Sequence, residues 1–149
     1  MKRSLIVLLV AAIPLAIAGC GGSGLTVTVS PPNTGAGLLN TPSFAEDAAA
    51  KELALSAQVA AETYATDNSG SYAGLSAKIL NQYEATIQIG PGNGNSYIAG
   101  AGVKGTTNGY TVAATSTSGD IFAITRTGGT TTRTCMPSGQ GGCASGGNW

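Results

Sequence analysis

Residues 43–68 read SFAEDAAAKELALSAQVAAETYATDN, and this stretch decides the fold because it contains neither glycine nor proline. Nine of its 26 residues are alanine, the residue with the highest helix propensity. Ser43 and Glu46 have the spacing of a capping box at a helix start. Asp47 and Lys51 are four residues apart and can therefore pair on the helix surface. The stretch predicts a helix of about 23 residues that begins near Ser43.

The apolar side chains of this helix form two neighbouring stripes, although one stripe is enough to bind a helix to a core. We therefore expect the first stripe to pack on a sheet. The second stripe is either a surface of small residues or a docking face for another protein. The first stripe consists of Ala49, Leu53, Ala57, Ala60 and Tyr64, and the second of Ala48, Leu55 and Val59.

The chain after the helix is predicted to form antiparallel sheet. Asp67 and the following Asn-Ser-Gly tolerate left-handed backbone and end the helix. A short helical turn is expected over residues 75–80, and alternating apolar residues predict strands over residues 83–89, 96–103, 109–116, 120–126 and 130–135, the first being the clearest. We therefore predict an α+β fold in which one long N-terminal helix packs on an antiparallel β-meander of about four strands.

The first 19 residues have the organisation of a secretory signal peptide, with two basic residues before an apolar run. That run has about 14 residues, whereas a membrane-spanning helix needs about 20. Residues 17–20, IAGC, resemble the lipobox of bacterial lipoproteins. The resemblance implies that Cys20 carries diacylglycerol, becomes the mature N-terminus and anchors the protein to a bacterial membrane on its extracytoplasmic side. Ordinary cleavage that leaves a free cysteine and a retained apolar anchor are the alternatives.

Residues 20–42 are rich in Gly, Ser, Thr and Pro, a composition that predicts a flexible tether. Residues 25–29, LTVTV, alternate, and the other interpretation is that they add a strand to the sheet. Residues 43–149 remain for one globular domain, which is enough chain for a small core.

The chain has three cysteines, an odd number that needs an explanation in an exported protein. Lipidation of Cys20 accounts for one. Cys135 and Cys143 flank the loop MPSGQGG, whose proline and glycines let the chain turn back, and we predict a disulfide between them. Two free thiols are the alternative. A metal site is not predicted, because two cysteines without any histidine fall short of the usual four ligands.

Charge and composition argue against several function classes. Beyond residue 19 there are five basic and seven acidic residues, a net charge of −2, and the basic residues are scattered singly, so no nucleic-acid partner is expected. Without histidine, and with carboxylates expected on the solvated surface in no obvious pair, no catalytic residue is predicted. Residues 90–94, GPGNG, predict a turn, because the Lys-Ser/Thr of a phosphate-binding loop is missing. We predict a protein that is not an enzyme and binds no cofactor.

The eight aromatic residues are few enough for one core to absorb most of them. Tyr64 and Tyr72 are expected to pack together across the junction between the helix and the following loop. Nothing in the spacing of the aromatic residues predicts an exposed binding platform.

Three segments together resemble the globular part of bacterial type IV pilins and type II secretion pseudopilins. They are residues 50–72, AKELALSAQVAAETYATDNSGSY; residues 109–126, GYTVAATSTSGDIFAITR; and residues 131–143, TTRTCMPSGQGGC, with a terminal GGNW. In that family a helix ends in an aromatic residue and a short Asp-Asn-Gly-Ser-Tyr element, a sheet packs on the helix, and a disulfide-closed loop often follows. The residues that match are Tyr64, Asp67, Asn68, Gly70, Ser71, Tyr72, Cys135 and Cys143.

The resemblance covers about residues 45–149 and lacks the family's prepilin leader and polymerising N-terminal helix. It implies a lipid-anchored structural or interaction module, an accessory component of a type IV pilus or type II secretion system with other pilin-like subunits as partners. The alternative is a cell-surface binding module, adhesin-like or solute-binding, that joins no filament. An exposed apolar helix stripe would favour the first, and stacked exposed tyrosines at residues 90–109 the second.

Overall fold

The structure is a computed structural model that describes residues 41–149. The predicted signal peptide, Cys20 and all of the predicted tether except its last two residues lie outside the described residues. Two helices precede four strands in the order α1 Thr41–Asp67, α2 Ala77–Tyr83, β1 Tyr97–Gly105, β2 Gly109–Thr115, β3 Ile121–Thr127 and β4 Thr130–Met136. The strands pair antiparallel in the order β1-β2-β3-β4. The prediction of an α+β domain with a helix on a four-stranded antiparallel sheet is confirmed.

Helix α1 has 27 residues and includes Thr41 and Pro42. Ser43 therefore lies within the first turn, and the predicted start of the helix at Ser43 is wrong by two residues. Proline is tolerated there because the amides of the first turn have no partner within the helix. At the other end, Ser69 and Gly70 adopt positive φ angles of 56° and 82°, which ends the helix where the sequence predicted.

The face of α1 that packs on the sheet is built almost entirely from alanine. The predicted stripe is only partly right, because Ala49 is exposed and Leu53 and Tyr64 are half-buried. Small side chains let the helix approach the sheet closely, so that the larger side chains of β2 and β3 fill the space between them. The buried alanines are Ala50, Ala54, Ala57, Ala60, Ala61 and Ala65, and the facing sheet residues include Val112, Phe122 and Ile124.

The strand predicted over residues 83–89 is wrong, although its alternation was the clearest in the sequence. Helix α2 extends through Tyr83, and the Glu84 amide closes it by donating to the carbonyl of Leu80. Of the following residues, Ile87 is buried in the core, and Ile89 makes only an isolated bridge to Ile98. The alternation therefore reflects a loop that buries one isoleucine and not a paired strand.

Strand β4 is an edge of the sheet. The chain that follows it turns back and covers part of this edge. The Cys135 amide donates to the Gly147 carbonyl at 2.8 Å, and the Trp149 indole N–H donates to the Thr134 carbonyl at 2.9 Å. Residues 137–149, called the C-terminal segment below, therefore protect one half of an edge that would otherwise be open to pairing.

Candidate functional site

Asp47 lies near the start of α1 and is 0% exposed. Its Oδ2 accepts a hydrogen bond from the Gly142 amide at 2.7 Å, and its Oδ1 accepts one from Ser118 Oγ at 3.0 Å. The carboxyl group of Asp120 lies beside that of Asp47, because a Cβ atom on Gly141 would meet Oδ2 of both residues. The expectation that the carboxylates are solvated and unpaired is therefore wrong for these two residues, which are called the carboxyl pair below.

The pKa of Asp120 is raised above its ordinary value. Burial is the largest cause, followed by the negative charge of Asp47 and by the hydrogen bond to Asp47. The turn between β2 and β3 positions Asp120, because its amide donates to Ser116 Oγ at 3.0 Å while the Ser116 amide donates to its carbonyl at 2.8 Å. Ser116 Oγ in turn lies 2.6 Å from Ser118 Oγ. The carboxyl pair thus sits in a network of hydroxyl groups.

Lys51 lies one helical turn after Asp47, and the sequence spacing suggested that the two would pair. In the structure, Lys51 Nζ instead donates to the carbonyl of Gly142 at 2.5 Å. Asp47 and Lys51 therefore hold the N–H and C=O of the same residue, on the C-terminal segment. Lys51 Nζ also lies 5.1 Å from the centre of the Phe122 ring, which faces the same space.

Glycine is required beside this contact. Gly141 has a φ angle of +50°, and a Cβ atom there would overlap Oδ2 of Asp47 and lie 2.9 Å from Oδ2 of Asp120. A Cβ atom on Gly142 would lie 2.7 Å from Lys51 Nζ. In the sequence, the Gly141-Gly142 pair before Cys143 is the one sign that the backbone packs closely against another element here.

Glu62 forms a second carboxylate cluster towards the other end of α1. It accepts hydrogen bonds from Tyr72 Oη at 2.6 Å, from Tyr110 Oη at 3.0 Å and from Arg126 Nη1 at 3.0 Å. The side chains of Glu62 and Arg126 are 36% and 34% exposed. The two tyrosine rings lie 4.8 Å apart. Helix, loop and two strands therefore meet at one partly hydrated carboxylate.

The phenols of this cluster stay protonated to unusually high pH. Burial and the hydrogen bond to Glu62 raise the pKa of Tyr110, and the same two causes raise the pKa of Tyr72. Tyr64 and Tyr72 both make contacts across the helix–loop junction, as the sequence suggested, since Tyr64 Oη donates to the Ala73 carbonyl at 2.7 Å and Tyr72 Oη donates to Glu62. Their rings pair with other tyrosines, and the ring of Tyr64 lies edge-on to that of Tyr83 with centres 5.8 Å apart.

The sulfur atoms of Cys135 and Cys143 are 2.00 Å apart, as in a disulfide, and both residues are buried. The C-terminal segment is rich in glycine and ends in Trp149. The indole ring packs edge-on against Phe122 at 6.0 Å, and the Arg133 guanidinium lies 5.0 Å from its centre. The segment is therefore held by a disulfide, an aromatic contact and the Gly142 peptide.

The second predicted stripe of α1 is partly exposed to solvent: Ala48 is exposed, Val59 is 66% exposed and Leu55 is half-buried. Phe44, one turn before Ala48 and outside the predicted stripe, is 55% exposed. Beside this face lies an open groove of about 550 Å³ whose polar lining includes Glu46, Glu52, Gln88 and Asn95. In the region of residues 90–109, the described side chains form no exposed tyrosine stack, because Tyr97 is half-buried.

No protein-family model matches the chain, and neither a curated protein nor a solved structure is significantly similar to it. Over residues 41–149, no three metal-ligating side chains come together in a group. No helix in this part of the chain is long and apolar enough to cross a membrane. Function is therefore inferred from the residues and their geometry alone.

Proposed function

We propose that this chain is a lipid-anchored, extracytoplasmic, pilin-like interaction module that serves as an accessory component of a type IV pilus or type II secretion system. The order of the elements carries the proposal. A 27-residue helix packs by one face on a four-stranded antiparallel meander, and a loop bounded by Cys135 and Cys143 follows the last strand. The globular part of type IV pilins and type II secretion pseudopilins, which this chain resembles, has the same order of elements.

The exposed apolar stripe on α1 supports a role in docking. Phe44 and Val59 are fifteen residues apart, which is about 22 Å along the helix. Large apolar side chains towards both ends of this face, with Ala48 and the half-buried Leu55 between them, suit the packing of a second helix along it. The proposed occupant is the helix of another pilin-like subunit, since the surface has the length and the apolar character of one helix face.

Anchoring through Cys20 is the second part of the proposal. A diacylglycerol carries two acyl chains, which is enough for stable attachment to a bilayer. The tether predicted from composition would span about 25–30 Å root-mean-square. The domain would therefore stay near the membrane, where assembly machines of this class are built.

A cell-surface binding module is the second candidate, and the polar groove favours it. The groove places the carboxylates of Glu46 and Glu52 beside the amides of Gln88 and Asn95, groups that bind hydroxyls and cations. The tyrosine platform that would strengthen this candidate is missing from the described surface, because Tyr97 is half-buried and Tyr72 and Tyr110 are buried.

The anchor is tested by intact mass spectrometry of the mature protein isolated from bacterial membranes. We expect a chain that begins at a diacylated Cys20, and we expect Cys20→Ala to leave the precursor unprocessed or to release the protein from the membrane fraction. A mature chain with an unmodified Cys20 would refute this part of the proposal.

The docking face is tested by site-specific photocrosslinking in cells of the native host. A photoreactive residue replaces Val59 in one variant and the exposed Lys78 of α2 in a matched control. We expect the Val59 position to crosslink to a protein that carries a prepilin leader, and the control position not to. Equal crosslinking from both positions, or partners without such a leader, would contradict the proposal and favour the second candidate.

A further inference from the structure

The C-terminal segment is hydrogen-bonded to helix α1 through the N–H and the C=O of Gly142. Asp47 accepts its amide at 2.7 Å and Lys51 donates to its carbonyl at 2.5 Å. Because Asp47 is 0% exposed, water does not compete for the first of these bonds. Docking of the segment therefore depends on the state of one buried carboxyl group.

Asp120 places a second carboxyl group beside that of Asp47, because a Cβ atom on Gly141 would meet Oδ2 of both residues. Two ionised carboxylates offer only acceptors, so they repel each other unless one of them carries a proton. For two acids this close, the second ionisation is opposed by the first.

The groups that face the carboxyl pair come from every element around it. Helix α1 contributes the Lys51 ammonium group, which is already bonded to the Gly142 carbonyl. The turn between β2 and β3 contributes the hydroxyls of Ser116 and Ser118. The C-terminal segment contributes backbone only, and the Arg133 cation of β4 stacks on Trp149. The one nearby cation on α1 therefore has a partner other than the carboxyl pair.

We propose that the carboxyl pair is a proton-dependent latch for the C-terminal segment. With one proton shared between the two carboxyl groups, Asp47 stays bonded to Asp120 and holds the Gly142 amide. When that proton leaves to solvent, two adjacent carboxylates repel each other and the contact with Gly142 loosens.

The direction of the switch follows from the raised pKa of Asp120. A group whose pKa is higher in the docked state than in the free state favours docking at low pH, and this stabilisation is lost as the pH rises through the raised pKa. The latch is therefore closed in acid and loosens above the ordinary aspartate pKa of about 3.9.

The Cys135–Cys143 disulfide limits how far the latch can open. Cys143 stays beside β4, so residues 144–149 can move furthest. Their movement breaks the bonds from Cys135 to Gly147 and from Trp149 to Thr134. Opening therefore uncovers backbone groups on the edge of β4, where a strand of another protein can add to the sheet.

Amide hydrogen exchange at Gly142 tests the latch directly, in the mature chain, residues 20–149, kept oxidised in detergent. After correction for intrinsic exchange, we expect its opening constant to rise about tenfold from about pH 4 to about pH 8. In Asp120→Asn the amide NH₂ donates to Asp47 in place of the shared proton, so we expect less than about a twofold change. Fluorescence of Trp149, the single tryptophan, should follow the same pattern.

Asp67→Asn is the matched control, because Asp67 is exposed on the same helix and bonds Tyr83 at 3.0 Å. We expect it to retain the wild-type pH dependence. An opening constant that is independent of pH in the wild type would overturn the latch, as would an equal pH dependence in Asp120→Asn. If that variant does not fold, Asp120→Ser replaces the second carboxyl group with a smaller side chain. An equal pH dependence in Asp120→Ser and the wild type would then overturn the latch.

Discussion

Helix α1 is joined to the rest of the domain by a carboxylate near each of its ends, and the two carboxylates have opposite surroundings. Asp47 and Glu62 are fifteen residues apart, about 22 Å along the helix. Glu62 is met by a guanidinium group and two phenols, all of which donate to it. Asp47 is met by a second carboxyl group, an amide and a hydroxyl, and it is fully enclosed.

The difference shows that a carboxylate between two elements can either hold a contact at neutral pH or make that contact depend on pH. A positive charge beside Glu62 compensates its negative charge whenever it is ionised, so this end is expected to remain closed at neutral pH. Asp47 is instead met by a second carboxyl group, and in the proposed latch a proton shared between the two takes the place of the cation. We therefore expect the contact between α1 and the C-terminal segment, and not the contacts of Glu62, to depend on pH.

The largest expected effect comes from removing the enclosed carboxylate. Asp47→Ala leaves the Gly142 amide and the Ser118 hydroxyl without their acceptor in a buried site, and we expect it to lower the free energy of unfolding by about 3 kcal/mol. Urea denaturation measures this. Glu52→Ala, at an exposed position of the same helix, should change stability by less than about 0.5 kcal/mol, and equal losses would show that Asp47 has no special role.

The next largest effect is expected from removing the disulfide that holds the C-terminal segment. Replacing Cys135 and Cys143 with serine should lower stability by about 2 kcal/mol, since the bond closes a small loop. Hydrogen exchange should show lost protection from Thr134 to the C-terminus and unchanged protection at Tyr110 and Arg126, which belong to the Glu62 end. Equal protection of the last strand in both forms would contradict the clamp role of the disulfide.

A smaller effect is expected at the Glu62 end. Glu62→Gln keeps an acceptor for one phenol but removes the charge that faces Arg126, and we expect a loss of about 1.5 kcal/mol. Because the pair is one-third exposed, about 0.5 M salt should reduce the difference between the two proteins. A loss that salt leaves unchanged would show that the charge is not what stabilises this end.

The smallest effect is expected from Tyr110→Phe, which removes one of three donors to Glu62 and should cost about 1 kcal/mol. The raised pKa of Tyr110 and Tyr72 also has a consequence at alkaline pH. Their stabilisation is complete below the ordinary tyrosine pKa of about 10 and is lost as the pH rises further. Ultraviolet titration should show fewer ionised phenols at about pH 11 in the wild type than in the urea-unfolded chain.

The helix and the last three strands could be predicted because their signals are local. Residues 43–68 contain no helix breaker, and short turns separate the strands. The buried face of α1 was predicted only in part, because alanine occurs all around the helix and gives little contrast between faces. Leu53 and Leu55 are larger than the gap between helix and sheet allows, so they lie half-buried at its margins.

Neither the carboxyl pair nor the Glu62 cluster could be predicted from the sequence. Asp47 meets Ser118 and Gly142, which are 71 and 95 residues away, and Glu62 meets Arg126 at a separation of 64. No local pattern marks partners that only the fold brings together. The four-residue spacing of Asp47 and Lys51 indicates a pair on the helix surface, and that interpretation concealed the burial of Asp47.

The central claim is that two carboxyl groups near the start of α1 share a proton, and residue-specific NMR titration of the Asp47, Asp120 and Glu62 carboxyl carbons tests it most directly. The account predicts that the Asp120 signal titrates above the ordinary aspartate pKa of about 3.9, and that it moves back towards that value in Asp47→Asn, where no second acid remains. An Asp120 carboxyl group that titrates at its ordinary value in the wild type, unaffected by Asp47→Asn, would contradict the account.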